Sequence, residues 1–392
     1  MSITKVTINL VVLNGEKYIR HCLDGILAQT YPHELIEINI LDNGSSDKTK
    51  EIINASRSDL ETRTDLGRDI ASGFTKFTLH ESKVNLGMWS GQEELLKHSR
   101  GNYVLAMAVD VILDKDFIKN AVEIMEKDGK IGGLQPKIYK FELSEVEPRH
   151  EVQPQETPEV GPRNEDRPRE LSKDTIDTCG FRIERSRRVT NIGHGEQDNG
   201  QYDDLSEVFG VEGACPFFRR KALEDCSVNL EAQLPSGKLS FQNEIFDHDY
   251  FWYGDDLDLA WRMNMFGWKQ VFAPSVIAWH DRQTTKSLKR NWLDYIFRVP
   301  VRRQIPIKKR RLDWRNTRFT IIKNDYIINI LKDLPYIMSR EISVLGYILL
   351  FEPKVFLELP NFVKLLPKML RKRKKIMKKA TVGPEEIRKR FE

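Results

Sequence analysis

In the stretch YGDDLDLAWR, residues 253–262, three carboxylates (Asp255, Asp256 and Asp258) fall within four positions. Leu257, Ala260, Trp261, Met265 and Phe266 follow at the spacing of one helix face. On that reading Asp255 and Asp256 open the helix, where its dipole favours anions. Asp258 can pair with Arg262 one turn on. A helix start accounts for one or two acids, but not for the aromatic run FWYG that leads straight into them. The other reading is that chemistry needs the charge there. Three further polar residues end apolar runs: Asn14 after VTINLVVL, Asp42 after LIEINIL, and Asp110 after GNYVLAMAV. Each alone reads as a turn former. His280 ends a fourth run, KQVFAPSVIAW. A lone histidine is ordinarily structural.

These residues are only useful together if the chain brings the ends of those runs to one place. Residues 6–13 are β-branched and of strand length. Tyr18 to Thr30 has helical spacing through Ile19, Cys22, Leu23, Ile26 and Leu27, and Pro32 stops it. Residues 35–41 read as a second strand, followed by the turn DNGSSDKT and a helix from Lys48 to about Ser56. Residues 57–73 are polar and read as a loop. Phe74 to Leu79 reads as a third strand, Ser90 to Ser99 as a helix, and GNYVLAMAVD as a fourth strand. Strands alternating with helices imply a parallel sheet covered by helices. Such sheets bind ligands beyond the carboxyl ends of their strands, where Asn14, Asp42 and Asp110 converge. Residues 208–225, the acidic stretch and KQVFAPSVIAWH continue as strand, helix, loop, helix and strand.

The chain has 392 residues, 40% hydrophobic and 31% charged, enough for two or three globular domains. MSITKVTINLVVLNG lacks the layout of a secretory signal. The four cysteines are scattered with no CxxC pair, which fits unbonded thiols and a cytoplasmic location. Residues 144–173 are rich in Pro, Glu and Arg and read as a surface loop or mobile insertion. Residues 282–392 carry 29 Lys and Arg against 10 Asp and Glu, so a basic tail follows an acidic body. Such a tail seeks a polyanion, either a membrane surface or a nucleic acid. Its longest apolar run, ISVLGYILLF, is too short to span a bilayer. KKRR at 308–311 and RKRKK at 371–375 frame segments such as NFVKLLPKML, which suit helices lying in a membrane interface. The expected organisation is a parallel α/β half at 1–140, a polar insertion at 141–205, a second half carrying the acidic stretch at 206–285 and a basic amphipathic helical tail at 286–392.

The ordered set NLVVLNGEKYIRHCLDGILAQTYP, INILDNGSSDKT, NLGMWSGQ, VDVILDKDFI, GACPFFRRKALE, YGDDLDLAWRMNMFGW and AWH resembles the GT-A fold, family 2 glycosyltransferases. Within them it is most similar to the rhamnosyltransferase-type branch of bacterial surface polysaccharide synthesis. The resemblance implies an α/β nucleotide-binding fold. It also implies inverting transfer of a sugar, rhamnose in that branch, from a nucleotide-diphosphate donor to a hydroxyl of a glycan or lipid-linked acceptor. Asp42 matches the aspartate that accepts from the pyrimidine ring N–H, and a carboxylate is the right acceptor for an imide donor. Asn14 and Glu16 match positions near the nucleotide, and Asn85 and Gly87 the N-x-G element of the donor pocket. Asp110 matches the metal-binding aspartate, and His280 a further ligand, for Mg²⁺ or Mn²⁺. The motif departs from a full DxD, because Ala108 stands where the first aspartate would be. Asp256 matches the proposed general base. Asp255 replaces the usual glutamate beside it, with contacts expected to the acceptor or neighbouring backbone. Arg219 and Arg220 match a basic pair that faces either the diphosphate or solvent.

Other readings separate on particular features. A nucleotidyltransferase would carry a Gly-rich loop with a lysine after the first strand, and LNGEKYIR is a poor version. A non-catalytic nucleotide-sugar-binding module is compatible with the incomplete DxD, while keeping both Asp255 and Asp256 argues against it. A different donor, such as a UDP-hexose, remains compatible with every motif. A nucleic-acid partner is not expected. The tail is expected at the inner face of the cell membrane.

Overall fold

The computed structural model describes residues 4–56, 74–143, 171–233, 239–282, 302–303 and 305–392. The loop expected at 57–73 and most of the insertion expected at 144–173 lie outside these residues. The strands are β1 (Val6–Val12), β2 (Ile36–Asp42), β3 (Lys76–Glu81), β4 (Tyr103–Ala108), β5 (Val111–Leu113), β6 (Ile131–Lys140), β7 (Ile176–Thr178), β8 (Phe181–Ile183), β9 (Val189–Asn191), β10 (Phe217–Arg219), β11 (Val228–Gln233), β12 (Leu239–Glu244) and β13 (Lys269–His280). The helices are α1 (Ile19–Leu27), α2 (Thr49–Ala55), α3 (Met88–Leu96), α4 (Phe117–Lys127), α5 (Arg220–Asp225), α6 (Asp255–Met265), α7 (Ile307–Asn324), α8 (Ile327–Lys332), α9 (Leu334–Phe351), α10 (Leu359–Lys379) and α11 (Pro384–Arg388).

The main sheet runs β3-β2-β1-β4-β10-β6-β13-β5, with β7 beside β6. All seven residues of β1 and of β2 are buried, as helices on both faces require. On α1, Ile19, Cys22, Leu23 and Ile26 turn the buried face to the sheet. Each full burial of such an aliphatic side chain is worth about 1.5–3 kcal/mol. Val12 pairs with Asp42, and Val11 with Ala108. The three strand ends therefore stop level, and their following loops share one edge. β13 runs parallel to β6, and its register shifts between Ala273 and Ile277, around Pro274, where the missing N–H removes a ladder bond. His280 then pairs with Val111, beside the end of β4.

The sheet is parallel only in part. β10 lies antiparallel between β4 and β6. α6 carries more than one apolar stripe. Leu259 and Met263 pack with Trp89 and Phe218, while Leu257, Ala260, Trp261 and Met265 pack with Phe181, Ile376 and Ile387. Its second face is covered by the C-terminal helices.

Those helices fold onto the body, and many of their cations are spent there. Lys323 of α7 bonds Asp247 and lies 2.8 Å from Asp258. Lys372 of α10 lies 2.9 Å from Glu244 and 2.8 Å from Asp249, and bonds Asp247. Asp325 and Asp333 meet the buried Arg187 at 2.7 and 2.9 Å. Burial favours the neutral acid at Asp247, but the ammonium groups of Lys323 and Lys372 outweigh it and hold the carboxyl below its usual range. One expectation is overturned. α9 is 18 residues long and apolar enough, by length and composition, to cross a membrane. The linear run looked broken at Arg340 and Glu341, but these pair with each other at 3.0 Å, and Glu341 also binds Arg318.

Candidate active site

The loops after β1 and β2 are stitched together by their own polar side chains. Asn14, at φ 50°, accepts from the Ser46 N–H at 2.8 Å, while its own N–H donates to the Ser45 hydroxyl at 2.9 Å. Glu16 accepts from the Lys48 N–H at 3.0 Å, and its N–H donates to Asp47 at 3.1 Å. Asp42 caps the same turn, its Oδ1 accepting from the Ser45 N–H at 2.9 Å. The N-x-G loop is held from a residue that sequence reading passed over. The Asn43 amide accepts from the Leu86 N–H at 2.9 Å and donates to the Asn85 side chain at 3.1 Å. Gly87 sits at φ 88°, and a Cβ there would come within 2.6 Å of the Phe251 carbonyl oxygen. The N-x-G loop thus rests directly on the aromatic run.

A chain of charged groups crosses the same edge. Asp110 Oδ2 lies 3.5 Å from His280 Nε2, and His280 Nδ1 is 2.9 Å from Asp177 Oδ2. Arg282 Nε is 2.9 Å from Asp177, and Arg282 Nη2 is 2.6 Å from Glu212. The Asp281 N–H donates to the Asp110 carbonyl at 3.1 Å, and the Tyr18 hydroxyl to the Asp281 carboxylate at 2.9 Å, tying the end of β13 to Asp110. Burial opposes protonation of His280, but the flanking carboxylates of Asp110 and Asp177 outweigh it and push the imidazole up to about 10. That well favours a positive charge, either a proton on the ring or a divalent ion beside it. With Asp177 on Nδ1, the ring presents Nε2 toward Asp110, the orientation a metal-ligating histidine takes. Asp110 and His280 therefore fit two positions of a divalent-cation site. Among the described residues no three His, Cys, Asp or Glu side chains gather as a complete one.

The acidic stretch sits on a strained turn. Phe251 and Tyr253 both adopt φ 64°, and Gly254 φ 85°. Left-handed backbone at two bulky residues persists only when neighbours enforce it. Asn316 of α7 does so, its amide donating to the carbonyls of Tyr250, Trp252 and Tyr253 at 3.2, 2.8 and 2.8 Å. Arg315 adds a bond to the Asp249 carbonyl at 2.7 Å. The turn delivers Asp256 to the first turn of α6, partly exposed, its carboxylate beside Gly213, where a Cβ would be 3.3 Å from Oδ2. Burial first, then the negative charge of Glu212, push Asp256 up to about 6. Glu212 thus joins Asp256 electrostatically to the Asp110–His280 end of the chain.

Asp255 turns the other way. It is 2% exposed, its Oδ2 has no hydrogen-bond partner among the described residues, and burial with Asp247, Asp256 and Asp258 raises its pKa well above the carboxylate range. Its side chain makes no hydrogen bond to neighbouring backbone among the described residues. Asp258 pairs with Arg262 at 2.9 Å, as its spacing implied. Arg219 and Arg220, both partly exposed, lie away from the edge that carries Asn14, Asp42 and Asp110. Because β10 is antiparallel, it carries them to the opposite end of the sheet, where Arg219 donates to the Ile131 and Met125 carbonyls and Arg220 to Glu224. Asp177, Glu212, Arg282, Asn43 and Asn316 complete the site. Their partners lie far along the chain, 105 residues for Arg282 and Asp177, and no local pattern announces them.

The glycosyl transferase family 2 model matches residues 7–226. A dolichyl N-acetyl-alpha-D-glucosaminyl phosphate 3-beta-D-2,3-diacetamido-2,3-dideoxy-beta-D-glucuronosyltransferase of Methanococcus voltae is 25% identical over 148 residues, 36% of this chain and 42% of that protein. The glycosyltransferase GlyA of Streptococcus pneumoniae is 30% identical over 115 residues, 29% of this chain and 14% of its own. The matches thus span less than half of these relatives. Among solved structures, GalNAc-T7 with UDP, GalNAc and Mn²⁺ is similar at TM-score 0.51 and 11% identity, covering 82% of this chain and 48% of that one. At that identity the likeness concerns the fold.

Proposed function

The chain belongs to glycosyl transferase family 2, and on that premise we propose that it moves a sugar from a nucleotide-diphosphate donor to an acceptor hydroxyl, with inversion. The observation that carries this reading is Asp256, partly exposed and raised to about 6, at the end of a charged chain that begins at Asp110 and His280. Asp42 has one oxygen committed to Ser45, and the other would accept from the ring N–H of a uracil or thymine. Asn14, Glu16, Asn85 and Gly87 shape the loops around that nucleotide. Their bonds within these loops support a positioning role. Asp110 and His280 would hold Mg²⁺ or Mn²⁺, which when bound offsets the charge growing on the leaving diphosphate.

Asp256 would accept the proton of the acceptor hydroxyl as its oxygen attacks the anomeric carbon from the face opposite the diphosphate. The carbon–diphosphate bond breaks, and the configuration inverts. Asp255, buried and pushed toward its neutral form, takes no proton in this scheme. Rhamnose is the sugar suggested by the resemblance, and a glycan or lipid-linked saccharide the acceptor in polysaccharide synthesis. The test is turnover of a panel of UDP-, dTDP- and GDP-sugars with lipid-extract acceptors, in Mn²⁺ or EDTA. Metal-dependent consumption of one donor is expected. Binding of a nucleotide sugar with no turnover of any donor would contradict catalysis and leave a binding module.

A further inference from the structure

The C-terminal helices leave a long apolar face bare. On α9, Leu334, Met338, Ile342, Leu345 and Leu349 repeat at helical spacing and are 42 to 67% exposed. Ile327 and Leu331 of α8 continue the pattern upstream at 63 and 60%. Ile348 is the sole buried residue of α9. Bare aliphatic area on this scale marks an interaction surface.

The charges beside it choose the partner. Lys354, Lys364, Arg371, Lys374 and Lys378 are exposed and make no ion pair among the described residues, unlike Lys323 and Lys372. They alternate along the chain with the exposed Leu357, Val363 and Leu370. Apolar area bordered by uncompensated cations complements an anionic lipid surface.

The ends of α9 decide its orientation. Asp333, at its N-terminus, is held by Arg187 and Arg388 at 2.9 and 2.7 Å. Glu352, at its C-terminus, is held by Arg302 and Arg310 at 2.9 and 3.3 Å. A spanning helix would place these ends on opposite sides of about 30 Å of hydrocarbon. Here both are fastened to one folded body.

We propose that α8 and α9 lie in the plane of an anionic bilayer, inserting the Leu334–Leu349 stripe while the free cations of the segment 354–378 engage lipid phosphates. This inference stands on exposure and charge and does not depend on the transfer reaction.

The test is flotation of the full chain with phosphatidylcholine vesicles, with and without phosphatidylglycerol, at low and high salt. Binding should need the anionic lipid, weaken in salt and leave a residue from apolar insertion. Lys364→Gln should cut partitioning about fivefold, the equivalent of roughly 1 kcal/mol per cation near the surface. Ile342→Glu/Leu349→Glu should abolish flotation with an unchanged melting midpoint and unchanged donor turnover. Three results would overturn the proposal. Failure to float together with a dimer that the double variant dissolves would mean a second copy covers the face. Failure to float with a melting midpoint lowered by the double variant would mean the chain itself covers it. Binding that resists alkaline carbonate would mean the helix spans.

Discussion

At the residue scale, the site turns on what surrounds one carboxylate. Asp256 is pushed up to about 6 by burial and by Glu212. A base must be unprotonated to accept a proton, so kcat/KM should fall about tenfold per unit as pH drops below about 6. A pH–rate profile checks this. Glu212→Gln removes the charge that raises Asp256 while leaving Arg282 nearby, so the acidic limb should move to lower pH. An unmoved limb would mean that another group titrates. The acids of YGDDLD were legible as a helix start, and it was the family resemblance, not their spacing, that singled out Asp256. Their division was not legible. Asp255 and Asp256 are chain neighbours, yet one side chain enters the core and the other reaches the sheet edge. That difference comes from the turn at 251–254, whose left-handed residues no sequence pattern announces.

At the element scale, the parallel strands were legible because β-branched runs of seven residues, buried on both faces, leave little alternative. β10 was not, since three residues carry too little pattern to show direction. Its reversal moved Arg219 and Arg220 to the far end of the sheet. The contact between the N-x-G loop and the aromatic turn yields a prediction. In Gly87→Ala a methyl would meet the Phe251 carbonyl at 2.6 Å while the residue is held at φ 88°. The cost is expected at about 1–3 kcal/mol, read as a lower melting midpoint and several-fold weaker nucleotide binding in calorimetry. Asn316→Ala should loosen the turn from the other side, lowering kcat more than donor affinity, because it positions Asp256 and touches no nucleotide loop.

At the scale of the whole molecule, the basic tail is two things at once. Its interior cations neutralise an acidic cluster of the body, while Lys354, Lys364, Arg371, Lys374 and Lys378 are exposed without an ion pair among the described residues. Composition sees only their sum, which is why the tail read as an appendage. Lys323→Met would leave Asp247 and Asp258 short of a buried partner and should cost about 3–5 kcal/mol. The loss should show in denaturant unfolding of the whole chain. Asp247 is held below its usual range in the fold, so its contribution is complete above the unfolded carboxylate pKa, about 4, and is lost as pH falls through the lower folded value. Acid unfolding of the wild type should therefore steepen below about pH 4, and Lys372→Met should blunt that slope. Removing residues 305–392 should leave an insoluble body, because Asn316, Ile376 and Phe391 belong to its supports and core.

The central claim is that Asp256 takes the proton from the acceptor. Its most direct test is single-turnover transfer by wild type and Asp256→Asn, with nucleotide affinity measured on the same samples. Transfer slowed by about 10²–10⁴-fold at unchanged affinity is the expected result. Transfer at the wild-type rate by the Asn variant would place the base elsewhere and contradict the account.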